Sequence, residues 1–325
     1  DLMPARARER MMEVSWPKEQ TEAKSMADAL KTGRTFVTDD AMAVIAHPEI
    51  EVVIEATGDP ATGIKLCQAA IAHGKHIVMV NVEADALAGP LLARRAKEAG
   101  VVYSLAWGDQ PALICEHVDW ARACGFKVVA AGKGTRYEPH YHRSNPDNVW
   151  DILDKYLNIT DRNSINPKMF NSFLDGSKPA IESTAVCNAT GLTPAPYGLT
   201  YPPASIDDIP TIMRPRAEGG QLHHHGQVEV ISSLERDGQP LPYDIRFGVW
   251  VVFEGDTEYI RRCFTEYGVR TDPSGRYACL YKRWHLIGLE VGISVASVGL
   301  RQEPTGCPTG FRADAVATAK RALQA

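Results

Sequence analysis

The sequence predicts an α/β fold, in which a parallel sheet is followed by an α+β domain with an open sheet. Residues 51–81 read as an apolar strand, a tight turn at Gly58, an amphipathic helix and a second apolar strand, which together make a βαβ unit. Strand-like and helix-like segments alternate up to residue 125, and the pattern changes beyond it. We therefore predict a Rossmann-type dinucleotide-binding domain over 1–125 and a catalytic and dimerisation domain over 126–310.

The elements of the first domain follow from hydrophobic periodicity. Residues 1–2 read as the end of a strand, so we expect the first strand of the domain and its Gly-rich turn to precede residue 1. Apolar runs predict strands over 35–37, 52–54, 77–80 and 101–106. Helical periodicity and capping residues predict helices over 4–14, 22–32, 39–46, 60–73, 83–100 and 110–124.

The second domain is predicted to be less regular. A strand over 127–131 leads into a Gly-Lys-Gly stretch, and a proline-rich extended loop occupies 192–216. Two β-rich segments, 227–234 and 244–253, are separated by a turn at Gly238 and predict a hairpin. A further strand is predicted over 277–281, and helices over 147–157, 167–174, 179–189, 257–267 and 285–298.

Composition bounds the class of protein. The chain has 325 residues, of which 44% are hydrophobic and 23% charged, so it can bury a sizeable core. The net charge of −5 and the absence of basic runs argue against a nucleic-acid partner. No apolar stretch reaches membrane-spanning length, and the seven scattered cysteines include no Cys-x-x-Cys pair. We expect a cytoplasmic protein with no membrane or nucleic-acid partner.

Polar residues at predicted strand ends are candidates for binding a dinucleotide. Asp1 lies where such folds place an acidic residue on the adenosine ribose, although it could equally cap the following helix. Arg6 follows closely and could contact a 2′-phosphate, so NAD and NADP both stay open. Thr57 and Gly58 end one strand and Asn81 the next, which favours a cofactor role over an ordinary turn.

Lys133 is the main catalytic candidate in the second domain. It lies between two glycines at a predicted strand end, where its ammonium could polarise a carbonyl or hold an enolate oxygen. The alternative is a solvated loop lysine, the commoner fate of this residue type. Arg136, Tyr137 and His140 follow in a polar run that suits a polyhydroxy or phosphorylated substrate, although about half of such a run is expected to be solvated loop.

Two further segments carry candidate substrate-binding groups. Lys178 and Glu182 lie in the first turns of a predicted helix, where an anion could dock, although plain capping is an equal alternative. Asn188 precedes the Gly191 helix end and leans towards a structural role. Lys282 and Arg283 directly precede the last predicted helix and could bind an anion. His285, at its start, could act as an acid, a base or a hydrogen-bond donor.

A metal site is not evident from spacing. The three consecutive histidines at 223–225 would point to opposite faces of a strand, so they rarely converge on one ion. We therefore leave the ligands of any metal unassigned.

The first domain resembles the cofactor domain of homoserine dehydrogenases. The resemblance rests on EATGD (55–59), AAIAHGKHIVMVN (69–81) and the loop WGDQP (107–111). It implies that Val82, Gly108 and Asp109 join the cofactor site. In that family the strand-end Asn is followed by a Lys close to the nicotinamide, whereas this chain has Asn81-Val82-Glu83, which disfavours ordinary homoserine dehydrogenase activity.

The second domain resembles one subfamily of homoserine-dehydrogenase-like oxidoreductases, those with a C-terminal SAF domain, and within it 1-deoxy-D-xylulose 5-phosphate reductoisomerase-like proteins. The motifs are AAGKGT, SFLDGSK, NATGL and KRWHLIGLE. The resemblance implies a homodimer that reduces a sugar phosphate with NADPH, or with NAD, with Mg or Mn as a divalent cation. It also implies that 311–325 begin a SAF-like domain.

The resemblance assigns roles and leaves alternatives. Lys133 would hold the carbonyl and enediolate oxygens, and the basic side chains would compete for the phosphate. His285, Glu182 and Glu290 are the candidates for transferring protons or for binding a metal, with no choice made among them. The alternatives are a sugar-acid dehydrogenase of the same subfamily, homoserine dehydrogenase itself, and a cofactor-binding sensor without turnover.

Overall fold

The computed structural model describes residues 1–157, 159–162 and 165–316. Its first half contains a three-stranded parallel sheet of strands β1 (Val52–Glu55), β2 (His76–Met79) and β3 (Tyr103–Leu105), in that order. The helices of this half are α1 (Pro4–Glu13), α2 (Met26–Thr32), α3 (Ala41–Ala46), α4 (Pro60–Ala72) and α5 (Val82–Glu98). The Rossmann-type parallel sheet is therefore confirmed.

Capping residues explain where the helices of this sheet begin. The Asp59 carboxylate accepts from the Thr62 N–H and starts α4, and the Asn81 side chain accepts from the Ala84 N–H and starts α5. Gly74, with φ of +68°, follows the end of α4 and lets the chain turn into β2. The buried apolar faces of strands and helices form one core cluster that includes Cys67, Ile77, Met79, Leu92 and Tyr103.

The strands predicted over 1–2 and 35–37 are wrong. The backbone groups of these segments bond outside any ladder. The Thr35 N–H donates to the Gln20 carbonyl, and the Arg8 guanidinium donates to the Val37 carbonyl. The Asp1 nitrogen donates to the Thr38 carbonyl. These groups are thus bonded to partners outside the sheet.

The second half is built on a six-stranded mixed sheet. Its strands, in spatial order, are β5 (Thr193–Pro194), β6 (Gln227–Ser232), β4 (Lys127–Thr135), β7 (Val249–Glu254), β9 (Tyr277–Lys282) and β8 (Arg270–Thr271). Its α-helices are α6 (Gln110–Ala123), α7 (Trp150–Leu153), α8 (Pro167–Leu174), α9 (Ser177–Thr190), α10 (Ile209–Ile212), α11 (Glu258–Glu266) and α12 (Val291–Ala296). The open sheet of an α+β domain is thus confirmed.

The predicted hairpin of 227–234 and 244–253 is wrong. Strands β6 and β7 each pair with β4, which lies between them, β6 in parallel and β7 antiparallel. Every residue of β6 and β7 is buried, so both are central strands. The connection from β4 to the parallel β6 contains α9, and a helix in such a crossover runs antiparallel to its strands. The N-terminal turns of α9 therefore lie at the carboxyl end of β4.

Three other predicted elements are shortened, absent or partly outside the described residues. The helix predicted over 285–298 begins only at Val291, because His285 and the Leu286 N–H are bonded to Phe247 and Glu290. The helix predicted over 147–157 is reduced to α7. Residues 311–316 form no strand, and 317–325, where the SAF-like domain was predicted to continue, lie outside the described residues.

Helix α6 connects the two halves. Its buried residues Leu113, Ile114 and Val118 share one core cluster with Val251 and Phe253 of β7, so α6 packs on the second sheet. The division at residue 125 stays a prediction. Among the residues that the structure describes, no helix is both long enough and apolar enough to cross a membrane.

Candidate active site

The carboxyl ends of β1, β2 and β3 form one polar edge. Gly58, with φ of +72°, follows β1 and faces open space, since an added Cβ would meet no atom within 4 Å. The Asn81 amide, beyond β2, donates to the Asp59 carbonyl at 3.0 Å and lies 3.4 Å from the Thr57 hydroxyl. Gly108, with φ of +91°, follows β3. The open backbone at Gly58 fits the approach of a dinucleotide, whereas Gly108 is covered by the Leu286 carbonyl.

The other predicted cofactor residues lie in different surroundings. Val82 is buried in the first turn of α5. The Asp1 carboxylate is exposed and accepts from the Met3 N–H at 2.8 Å. Arg6 is exposed on α1. Their contact with a cofactor stays a prediction.

Lys133 is buried, contrary to the prediction of a lysine at a strand end that its neighbours do not shield. It lies inside β4, and its ammonium forms an ion pair with the buried Glu182 carboxylate of α9. The flanking glycines serve close packing. An added Cβ on Gly132 would lie 1.8 Å from the Glu229 carbonyl oxygen, and one on Gly134 would lie 2.0 Å from the Ile245 carbonyl oxygen.

A second ion pair joins the two halves of the chain. The Lys178 ammonium, in the first turn of α9, lies 2.8 Å from the Glu83 carboxylate in the first turn of α5. Burial lowers the pKa of Lys178, but the charges of Glu182, Glu83 and Asp109 outweigh it, so the net pKa is raised. Lys178 therefore keeps its proton at neutral pH.

Asp109 completes this charged group. Its carboxylate accepts from the Gln110 N–H at 2.8 Å and is buried. Burial and then the charge of Glu182 raise its pKa to about 7, against the opposing effect of Lys178 and Lys133. We call the five side chains that act on one another here the charge cluster: Glu83, Asp109, Lys133, Lys178 and Glu182.

The segment 283–290 covers one side of this region. The Leu286 carbonyl oxygen would lie 2.8 Å from an added Cβ on Gly108, so the segment packs directly on the β3 edge. The His285 Nδ1–H donates to the Phe247 carbonyl at 2.7 Å, and burial lowers the His285 pKa. Lys282 is paired with Glu290 at 2.5 Å. His285 is thus held neutral, and Lys282 is not a free cation.

In the polar run after β4, some side chains are buried in contacts with the protein and others are exposed to solvent. Tyr137 is buried and stacks on Tyr201 with ring centroids 4.3 Å apart. His140 is exposed and lies 3.6 Å from Glu138. Arg136 donates to the Tyr141 hydroxyl at 3.2 Å.

Asn188 has a structural environment. It is completely buried, and its side-chain oxygen accepts from the Arg312 N–H at 2.7 Å and from the Ala313 N–H at 3.3 Å. It therefore anchors the segment after residue 308, and these contacts do not involve a substrate. Arg283 is exposed and donates to the Asp244 carbonyl at 3.3 Å.

No metal centre is evident in the part of the chain that the structure describes. No three His, Cys, Asp or Glu side chains there are grouped so that they could hold an ion. The Glu182 and Glu83 carboxylates are already paired with ammonium groups. The residues present thus do not fit the divalent cation that the sequence resemblance implied.

The sequence did not predict how the charged groups of this site pair. Glu83 was noted only in the segment Asn81-Val82-Glu83, where the expected lysine is absent, and Asp109 was predicted only as a cofactor residue. The position of Glu83 could have indicated its role, because it lies two residues after Asn81 at the carboxyl edge of the sheet. If the N-terminus of the helix that carries Lys178 faced this edge, the two side chains would lie close together.

Two family models match the chain. The NAD-binding domain of homoserine dehydrogenase matches residues 11–105. The catalytic domain of oxidoreductase DRL matches residues 108–291, more than half of the 325 residues. The chain belongs to the DRL oxidoreductase family. A DRL oxidoreductase with a homoserine-dehydrogenase-type NAD-binding domain is an NAD(P)-dependent oxidoreductase, which confirms the predicted enzyme class and nicotinamide cofactor.

Individual relatives add little beyond this class. Homoserine dehydrogenase of Pseudomonas aeruginosa is 38% identical over 71 residues, which are 22% of this chain and 16% of that protein. The chain thus spans only 16% of the length of this curated relative. An oxidoreductase from Bacteroides fragilis has a TM-score of 0.35 at 14% identity, over 89% of this chain and 81% of its own. A DOX-P reductoisomerase in complex with magnesium has a TM-score of 0.36 at 14% identity, over 59% of this chain and 49% of its own. Neither structural similarity bears on the activity.

Proposed function

We propose that this DRL oxidoreductase is an NADPH-dependent reductoisomerase that converts 1-deoxy-D-xylulose 5-phosphate to 2-C-methyl-D-erythritol 4-phosphate. The observation that carries the proposal is the charge cluster, which faces the carboxyl edge of the NAD-binding sheet. The reaction rearranges a hydroxyketone to an aldehyde and then reduces the aldehyde. It needs positive charge beside the reacting oxygens and a group that carries protons, and the cluster offers both.

The polar edge would hold the cofactor. Thr57, Gly58 and Asn81 would contact the dinucleotide where it crosses the strand ends. When bound, the nicotinamide supplies the hydride. The segment 283–290 packs on Gly108 and would shield this position from water.

The two lysines of the cluster would stabilise negative charge. Lys133 holds its ammonium on the Glu182 carboxylate, and Lys178 holds its own on Glu83. Each ammonium has three hydrogens, so either can also donate to a substrate oxygen. Because both lysines are fixed by ion pairs, little reorganisation is needed as charge develops on that oxygen.

Asp109 is the group suited to move a proton. Its pKa of about 7 lets it take and return a proton at neutral pH. A carboxylate of the cluster accepts the proton of a substrate hydroxyl during the rearrangement. The aldehyde oxygen takes up a proton as hydride reaches its carbon, so each turnover consumes one NADPH and one proton.

The test is turnover by the purified protein. NADPH absorbance is followed with 1-deoxy-D-xylulose 5-phosphate, and the product is identified by mass spectrometry. We expect NADPH oxidation matched mole for mole by the methylerythritol phosphate, and a Lys133→Ala variant with at least about a hundredfold lower kcat. NADPH binding without turnover of this substrate would contradict the proposal.

A second candidate is a simple dehydrogenase of a hydroxy or amino acid. Lys178 favours it, because its ammonium reaches Glu83 next to the end of β2, where homoserine dehydrogenases were expected to carry a lysine. The same assay with homoserine and NADP, and with a panel of sugar acids, distinguishes it. Oxidation of one of these, with no reaction of the deoxyxylulose phosphate, would replace the first proposal.

A further inference from the structure

The candidate phosphate-binding cations differ in whether a carboxylate already neutralises them. Lys178 is paired with Glu83 at 2.8 Å, and Lys282 with Glu290 at 2.5 Å. A cation that is already paired gains less binding free energy from an additional anion, because moving towards that anion weakens its existing ion pair. These two lysines are therefore weaker phosphate ligands than an arginine without such a partner.

Arg136 makes no ion pair with a carboxylate of the described residues. Its guanidinium lies 4.5 Å from the centre of the Tyr156 ring and donates to the Tyr141 hydroxyl. The nearby Glu138 carboxylate accepts from the same Tyr141 hydroxyl at 2.8 Å, and it makes no ion pair with Arg136. Within the described ranges no carboxylate lies at ion-pair distance from this guanidinium.

Arg246, which was not among the residues predicted from the sequence, also makes no ion pair with a described carboxylate. Its backbone nitrogen lies 3.1 Å from the position of an added Cβ on Gly134, so Arg246 flanks β4 just after Lys133. Its Nε is buried without a hydrogen-bond partner among the residues described. The Asp244 carboxylate accepts from the Arg246 backbone N–H and not from its guanidinium. A buried donor without an acceptor is costly, and an anion would satisfy it.

Tyr156 lies beneath the Arg136 guanidinium, and its hydroxyl is also sensitive to the charge of Arg246. Burial raises the pKa of Tyr156, and the positive charges of Arg136 and Arg246 both oppose that rise. Their backbones also flank Gly134, Arg136 two residues along the chain and Arg246 across the contact described above. Two arginine forks and a phenol therefore share one region beyond the carboxyl end of β4.

We propose that Arg136, Arg246 and the Tyr156 hydroxyl form a subsite for a phosphate monoester dianion. Arginine suits this ligand because its planar fork donates two parallel hydrogen bonds to phosphate oxygens. As the binding site for the phosphate of the substrate, the subsite rests on the proposed function. The 2′-phosphate of NADP has the same chemistry, but the subsite lies on the catalytic domain, beside Lys133, which favours the sugar phosphate.

Binding of inorganic phosphate tests the subsite without turnover. A phosphorus NMR titration compares the wild-type protein with Arg136→Gln and Arg246→Gln. The matched control is Arg262→Gln, whose guanidinium also lies over a tyrosine ring, Tyr259 at 5.4 Å, but is paired with Glu266. We expect affinity to fall about tenfold to a hundredfold in the two subsite variants and to stay unchanged in the control.

Kinetics then identify the source of the phosphate. With the sugar phosphate as substrate, Arg246→Gln is expected to raise its KM while the preference for NADPH over NADH stays unchanged. Arg246→Lys keeps the charge but loses the fork, so it should lie between wild type and Arg246→Gln, and it guards against a variant that fails to fold.

The outcomes separate the two proposals. Phosphate binding that depends on both arginines, with no turnover of any sugar phosphate, would keep the subsite and remove the proposed reaction. Turnover with unchanged KM in folded Arg136→Gln and Arg246→Gln would keep the reaction and overturn the subsite. Loss of NADPH preference in Arg246→Gln would overturn the assignment to the substrate.

Discussion

The Lys178 ammonium lies 2.8 Å from the Glu83 carboxylate and joins α9 of the catalytic domain to α5 of the NAD-binding domain. Both residues stand in the first turn of their helix, and the two helices pack against each other. The pair is partly buried, with 19% and 29% of the two side chains exposed, which reduces screening by solvent. This ion pair is one of the contacts by which α9 and α5 join the two halves of the chain.

A double-mutant cycle tests that link. Lys178→Met and Glu83→Gln should each lower the free energy of unfolding, and the double variant should lose less than the sum, with a coupling energy of about 1 kcal/mol. The measurement is urea unfolding of all four proteins. The exposed pair Arg94 and Glu98, 3.9 Å apart on α5, is the control and should couple by only about 0.3 kcal/mol. Equal coupling in both pairs would remove the special role of the Lys178 contact.

Lys133 should matter for stability and for catalysis in separable ways. Lys133→Met leaves the buried Glu182 charge uncompensated, so we expect a loss of about 3–5 kcal/mol in unfolding free energy. The double variant Lys133→Met/Glu182→Gln removes both charges and should regain most of that stability. Its kcat should stay at least about a hundredfold below wild type. Recovery of activity together with stability would show that the pair is only structural.

The raised pKa of Asp109 predicts that kcat depends on pH, with a defined sign. Its pKa is raised from an ordinary 3.8 to about 7, so its protonated form dominates below neutral pH. If this proton is delivered to the product oxygen, kcat should fall as the pH rises through about 7. Asp109→Asn should be slower and should lack this limb of the profile.

The same pKa affects stability. A carboxyl whose pKa is raised on folding stabilises the protein fully below its unfolded pKa, about 4, and this contribution is lost as the pH rises through about 7. Asp85 is the comparison, since burial and, to a smaller extent, the charge of Asp109 raise its pKa to about 7, while its hydrogen-bond partner is Tyr103 in the core. Asp85→Asn should flatten the stability profile and leave the kinetic limb in place. A lost limb in this variant would exclude Asp109 as its source.

Gly58 offers a test of the cofactor edge. Gly58 and Gly74 both have positive φ, +72° and +68°, and an added Cβ would meet no atom within 4 Å at either position. Alanine at either site should cost about 1–2 kcal/mol from backbone strain alone. Only Gly58→Ala should also raise the KM for NADPH, as measured by initial rates. An equal effect of Gly74→Ala would mean that the change acts through stability.

The fold was largely predictable where local pattern decides it. The βαβ unit around Gly58 followed from apolar runs, a turn and a capping Asp, and helix α8 has the predicted bounds. The order of the second sheet was not predictable in this way. The turn at Gly238 suggested a hairpin, but β4 separates the two strands, and no local signal records which distant strand inserts between neighbours.

The candidate site was predictable in its residue types but not in its pairings. Lys133, Lys178 and Glu182 were each recognised as charged groups near strand or helix ends. That Lys133 meets Glu182 depends on α9 running back along β4, and that Lys178 meets Glu83 depends on how the domains pack. Arg246 was missed because a single arginine in a loop carries no pattern; only its buried, unpartnered Nε within the described structure distinguishes it.

The composition of the charge cluster has a consequence for calorimetry. Two ammonium groups face three carboxylates, so the cluster carries one excess negative charge when Asp109 is ionised and none when Asp109 holds its proton. The form of the cluster without net charge binds an anionic ligand more tightly than the form with the excess negative charge. Near pH 7 its binding is therefore accompanied by proton uptake from the buffer, and the apparent heat of binding depends on the buffer's own enthalpy of ionisation.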